Sequence, residues 1–104
     1  MYSIFYITAP NNEIGRKIAQ LLVEEKLAAC VSIVPEIFSC YRWNGKIETS
    51  MECLLMGKTT ESLAQAIKNR VSEIHPYDVP EILFVNIANG LESYLQWVGE
   101  SVSS

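Results

Sequence analysis

Apolar positions along the chain change period several times, and each change marks an element. Tyr2 to Thr8 is nearly all apolar or aromatic, the pattern of a strand covered on at least one face. Pro10-Asn11-Asn12 breaks that run and offers an N-cap. Ile14, Ile18, Leu21, Leu22 and Leu27 then fall on one helical stripe, with Glu13 in the first turn. From Ala29 to Trp43 the chain reads as a second strand, interrupted by Pro35. Asn44-Gly45 follows, the strongest short-range hairpin signal because both residues tolerate positive φ. Lys46 to Lys58 returns as a third strand. With Asn44-Gly45 as the loop, Trp43 faces Lys46, Tyr41 faces Glu48, Cys40 faces Thr49 and Cys53 lies opposite Glu36. That register disfavours a Cys40–Cys53 disulfide.

Thr59 or Thr60 is expected to cap a second helix with its stripe at Leu63, Ala66, Ile67, Arg70, Val71 and Ile74. The run His75-Pro76-Tyr77-Asp78-Val79-Pro80-Glu81-Ile82 comes next. Each proline lacks an N–H and biases its predecessor away from the α region, so the helix should stop at His75 and Val79 should be extended. A fourth strand is predicted from Glu81 to Ala88. Asn89-Gly90 then turns the chain into a short closing helix with Leu91, Tyr94, Leu95 and Val98 on one face. Gly99 is the expected C-cap, and Gly99 to Ser104 a frayed tail. The order is β-α-β-β-α-β plus a terminal helix. It predicts an α+β, ferredoxin-like sandwich in one domain over residues 1–104: a four-stranded antiparallel sheet with two helices on one face. Right-handed crossovers place strands one and three in the middle.

The hairpin is too long for such a domain. Strands of about 13–15 residues reach roughly 45 Å, whereas a compact chain of this size has a radius of gyration near ~13 Å. The far end carries Phe38, Tyr41 and Trp43. Exposed aromatic edges of this kind are liabilities unless another copy covers them. These three residues are therefore expected in the interface of a homo-oligomer. The competing geometry is a hairpin bent at Pro35 onto its own domain.

Composition narrows the partners. Eight basic against twelve acidic residues give a net charge of −4, which argues against nucleic acid, whose phosphates select lysine and arginine. The start lacks a charged leader and is too short to span a membrane, so neither a leader nor a membrane partner is expected. Three cysteines, Cys30, Cys40 and Cys53, form no C-x-x-C pair and fit reduced, core-like thiols in the cytoplasm.

Catalytic signals are sparse. The glycines are scattered, no phosphate-binding loop occurs, and one histidine cannot build a multi-histidine zinc site. Acyl-phosphate hydrolases of this topology need an anion-cradling loop after strand one. Here that loop carries Glu13 and has no arginine before Arg16. No enzyme is expected. What remains is soft chemistry: imidazole and thiolate favour copper or zinc. His75 with Cys30, Asp78 or Glu81 is one candidate ligand set. As a plain helix-end residue, His75 would instead bond free carbonyls. Arg42, Lys46 and Lys58 are candidates to face a small anion.

Several ordered motifs resemble the CutA divalent-cation-tolerance family. They are Ile7-Thr8-Ala9-Pro10, Leu27-Ala28-Ala29-Cys30-Val31, Tyr41-Arg42-Trp43-Asn44-Gly45-Lys46-Ile47, Lys58-Thr59, the His75 to Ile82 connector and Tyr94-Leu95-Gln96-Trp97. The resemblance implies a ferredoxin-like subunit, a homotrimer packed through the long hairpin, and a role in tolerance of copper and other divalent metals. Copper-binding members are associated with a cysteine before the Thr-Ala-Pro and a His-His pair before the Pro-Tyr. Here those positions hold Ile7 and Ile74-His75, leaving His75 and Cys30 as the candidate metal ligands. The architecture is also similar to that of PII signalling trimers, which implies an alternative: a small anionic ligand in a cleft between subunits.

Overall fold

A computed structural model describes residues 1–103. The elements are β1 (Tyr2–Ala9), α1 (Asn12–Glu24), β2 (Cys30–Trp43), β3 (Lys46–Thr60), a 3-10 turn (Glu61–Leu63), α2 (Ala64–Ile74), β4 (Ile82–Asn86) and α3 (Glu92–Val102). The strands form one antiparallel sheet in the order β2-β3-β1-β4, so strands one and three lie in the middle as expected. Helix α1 starts where Asn11 accepts the Ile14 N–H at 2.9 Å.

Alternation along β1 and β3 sends Phe5, Ile7, Ala9, Cys53 and Leu55 to the face packed on α1 and α2, where they meet Ile18, Leu22, Ile67 and Val71. Phe5 stands over Gly57, its partner across the strands, and a Cβ at Gly57 would fall inside the Phe5 ring. Thr59 is fully buried and donates to the Leu27 carbonyl at 2.7 Å. It therefore tethers the end of β3 to the loop after α1 and caps no helix. Thr60 leads only into the 3-10 turn without a side-chain cap bond, and α2 begins at Ala64.

The hairpin pairs as its turn dictates from Trp43↔Lys46 to Ile37↔Glu52. A β-bulge then shifts the register, and Val34 pairs with Leu54. Pro35 and Glu36 together oppose Cys53, with Glu36 at φ 56°. Proline cannot donate to a ladder, so an edge bulge is where it is tolerated. The bulge does not fold the hairpin back. Phe38 is 68% and Trp43 58% exposed, Tyr41 is also exposed, and the molecule is 44 Å long.

Three further expectations need correction. The fourth strand is shorter than Glu81 to Ala88, because only Ile82–Asn86 pairs with β1. Among the cysteines, Cys53 alone is core-like; Cys30 is half-buried and Cys40 exposed. The terminal helix is not short and does not stop at Gly99. Its 11 residues run through to Val102, so the expected frayed tail is helical over most of its length, and Ser104 lies outside the described residues. Gly99 serves packing instead, since a Cβ there would sit 3.2 Å from the Tyr2 hydroxyl. Helix α3 crosses the second face of the sheet, the face that holds Tyr2 and Cys30.

Candidate functional site

The connector behaves as its prolines require. Helix α2 ends at Ile74, and His75 turns extended (φ −78°, ψ 138°) while its N–H still bonds the Val71 carbonyl. Its imidazole is 8% exposed and engaged at both nitrogens. Nδ1 accepts the Tyr77 N–H at 3.1 Å, so it carries no proton. Nε2 therefore bears the proton and donates to the Thr8 carbonyl at 2.8 Å. The ring pins the connector to β1.

Tyr77 extends this contact to the hairpin. Its ring lies 4.8 Å from the His75 ring, and its hydroxyl donates to Glu52 Oε2 at 2.8 Å. Glu52 neighbours the bulge, so the connector grips the hairpin where it leaves the domain. Burial, followed by the Glu52 bond, pushes the Tyr77 hydroxyl up to about 12. Beside it, the Cys53 thiol donates to the Asn11 carbonyl at 3.3 Å, and burial raises its pKa. Thr8, Asn11, Glu52, Cys53, His75 and Tyr77 thus join four elements at one end of the sheet.

Cys30 lies elsewhere. It pairs with Lys58, which pairs with Ile4, whereas His75 bonds the backbone at Thr8. That separation is about 13 Å along β1 alone at ~3.3 Å per residue. Cys30 faces the second sheet face, where Tyr94 Oη lies 3.5 Å from its sulfur. Hydrogen bonding to Cys30, followed by burial, pushes the Tyr94 hydroxyl up to about 12. Tyr94 in turn stacks on Trp97 at 5.5 Å. Asp78 and Glu81 are exposed on the connector, and Arg42 and Lys46 on the hairpin tip.

The described residues of this chain do not fit a closed metal site. Both imidazole nitrogens of His75 are used, Cys30 is remote from it, and among the described residues no three His, Cys, Asp or Glu side chains come together as a ligand set. Sequence reasoning passed over the Tyr77–Glu52 bond and the Cys30–Tyr94 pair. Both join residues far apart in the chain, and the phenols carry no sequence mark of their partners.

The CutA1 divalent ion tolerance protein family matches residues 3–101. The chain belongs to this family. A solved structure of the divalent cation tolerance protein from Thermus thermophilus superposes with a TM-score of 0.95 at 48% identity, covering 97% of this chain and 98% of that one. The periplasmic divalent cation tolerance protein CutA from Archaeoglobus fulgidus gives a TM-score of 0.96 at 40% identity, covering 99% of this chain and 100% of that one. The chloroplastic CutA of Arabidopsis thaliana is 46% identical over 94% of this chain, which spans only 54% of that longer protein. The compartment thus varies among relatives, and no helix among the described residues is long and apolar enough to cross a membrane.

Proposed function

We propose that the chain acts as a homotrimer in divalent metal tolerance, meeting copper or zinc weakly and turning over no substrate. The observation that carries this reading is a pair of open apolar surfaces on one subunit. The far hairpin exposes Phe38, Tyr41, Trp43, Ile47 and Met51, and the second sheet face exposes Leu83 and Val85. Apolar strands at a free edge call for a second copy to cover them. Because the two patches differ, contact between them is heterologous, and such contacts form a ring where the rotation between subunits closes. The family resemblance supports three subunits in the ring, and in this reading Phe38, Tyr41 and Trp43 belong to its interface.

The reading of no turnover rests on the geometry around the connector. His75 is held at both nitrogens and the Cys53 thiol is buried against a backbone carbonyl, so neither is poised as base or nucleophile. For metal, Cys30 is the more accessible ligand. His75 joins only by giving up its bond to Tyr77, so weak binding with help from a neighbouring subunit is the expectation. The cytoplasm suits the three free thiols. Calorimetric titration of the reduced protein with copper and zinc tests the ligands. Cys30→Ser should weaken binding most, and His75→Ala should weaken it less. Binding that is unchanged in both variants would remove both residues from the site. A second reading, a small anion in a subunit cleft near Arg42, Lys46 or Lys58, is favoured at Lys58 by its surroundings.

A further inference from the structure

Lys58 is a lone cation in an apolar sheet face. Strand pairing sets two complete rows on that face, Cys30–Lys58–Ile4–Val85 and Ser32–Met56–Tyr6–Leu83. Val34, Leu54 and Thr8 continue it. Lys58 is the one charged residue in these rows, and it is half-buried. Among the described residues the single ion pair is Arg70 with Glu25, so none of their carboxylates meets the Lys58 ammonium. Its strand partner Cys30 brings a thiol and no carboxylate, and the Tyr94 hydroxyl lies 3.5 Å from that thiol. The high pKa of Tyr94 keeps its phenol protonated at neutral pH.

A half-buried lysine on an open apolar face lays its stem along apolar neighbours and keeps its ammonium in water. Covering the face removes that water. An ammonium buried without a partner is costly, and a paired one is tolerated. We infer that Lys58 receives an oxyanion, a carboxylate or phosphate group, at the interface where another subunit covers the second sheet face. The oxyanion comes either from an acidic side chain of the neighbouring subunit or from a small molecule in solution. This inference rests on the homo-oligomer reading above.

The test compares wild type, Lys58→Met and Lys58→Arg, by light scattering and by thermal unfolding at fixed protein concentration. The buffers are chloride, inorganic phosphate and citrate at constant ionic strength. Methionine keeps the apolar stem and removes the charge. Lys58→Met should lower the melting temperature by at least about 4 °C or dissociate the oligomer, and Lys58→Arg should restore it. If phosphate or citrate stabilises the wild type but not Lys58→Met, the oxyanion comes from solution. If the loss is the same in every buffer, it is a neighbour's carboxylate. An oligomeric wild type with Lys58→Met equally or more stable in all three buffers overturns this inference alone. A monomeric wild type overturns the oligomer reading and this one together.

Discussion

Replacing His75 by alanine removes an imidazole that is bonded at both nitrogens and 8% exposed. Each neutral hydrogen bond contributes about 1 kcal/mol net, and a buried acceptor left without its donor costs ~1–3 kcal/mol. The Thr8 carbonyl becomes such an acceptor. The tilted contact with the Tyr77 ring at 4.8 Å is lost as well, at ~0.5–1.5 kcal/mol. Together the expected loss is about 3 kcal/mol, a large share of a domain stability of about 5–15 kcal/mol. At ~4–8 °C per kcal/mol for a chain of this size, the melting temperature should fall on the order of 15 °C. The assay is chemical unfolding at fixed protein concentration in a chelating buffer, which separates this loss from any bound metal. His75→Gln, which can keep one of the two bonds, should fall in between. A His75→Ala protein within about 0.5 kcal/mol of wild type in chelator, yet unable to bind copper or zinc, would refute the reasoning. The imidazole would then be a ligand and not a fastener.

Other substitutions test the packing and the titration directly. Gly57→Ala should cost about 3 kcal/mol, between the ~1–3 of overpacking and the ~3–5 of losing a buried phenylalanine. In a Phe5→Ala background it should be nearly neutral; an equal cost in both would show that the ring is not what excludes the Cβ. Thr59→Val should cost about 1–3 kcal/mol by stranding the Leu27 carbonyl, and denaturant unfolding with a loss below that range would contradict the tether. For pH, the folded state raises Tyr77 and Tyr94 from 10.0 to about 12. The stability they contribute is therefore complete below pH 10 and declines as the pH rises toward 12. Tyr77→Phe should remove a high-pH component from the ultraviolet titration of the tyrosines, and loss of a component near pH 10 instead would count against its bond to Glu52.

The parts of the fold legible in the sequence are those set by local chemistry. Asn44-Gly45 specifies a turn, and the turn specifies the register from Trp43↔Lys46 outward. Pro76 ends α2 at its predecessor, and Asn11 starts α1 through its side chain. Pro35 signalled an interruption, but the bulge needed Glu36 at positive φ, a conformation its side chain does not announce. Gly99 and Thr59 misled for one reason. A C-cap glycine and an N-cap threonine look the same in sequence as a glycine excused by a tyrosine hydroxyl and a threonine tied to a distant carbonyl. At the candidate site, the connector's rigidity followed from its prolines. The occupancy of both His75 nitrogens depends on where β1 passes, which is tertiary information. The same holds for Lys58, an ordinary strand lysine until four strands line up beside it.

Assembly through the open hairpin and the second sheet face is the claim on which the other functional readings stand. Light scattering coupled to size exclusion, at micromolar protein under reducing conditions, measures it most directly. The expected particle has three times the 11.7 kDa subunit mass, and the paired change Phe38→Asp and Trp43→Asp should shift it toward single subunits. A wild-type particle of 11.7 kDa would contradict the account.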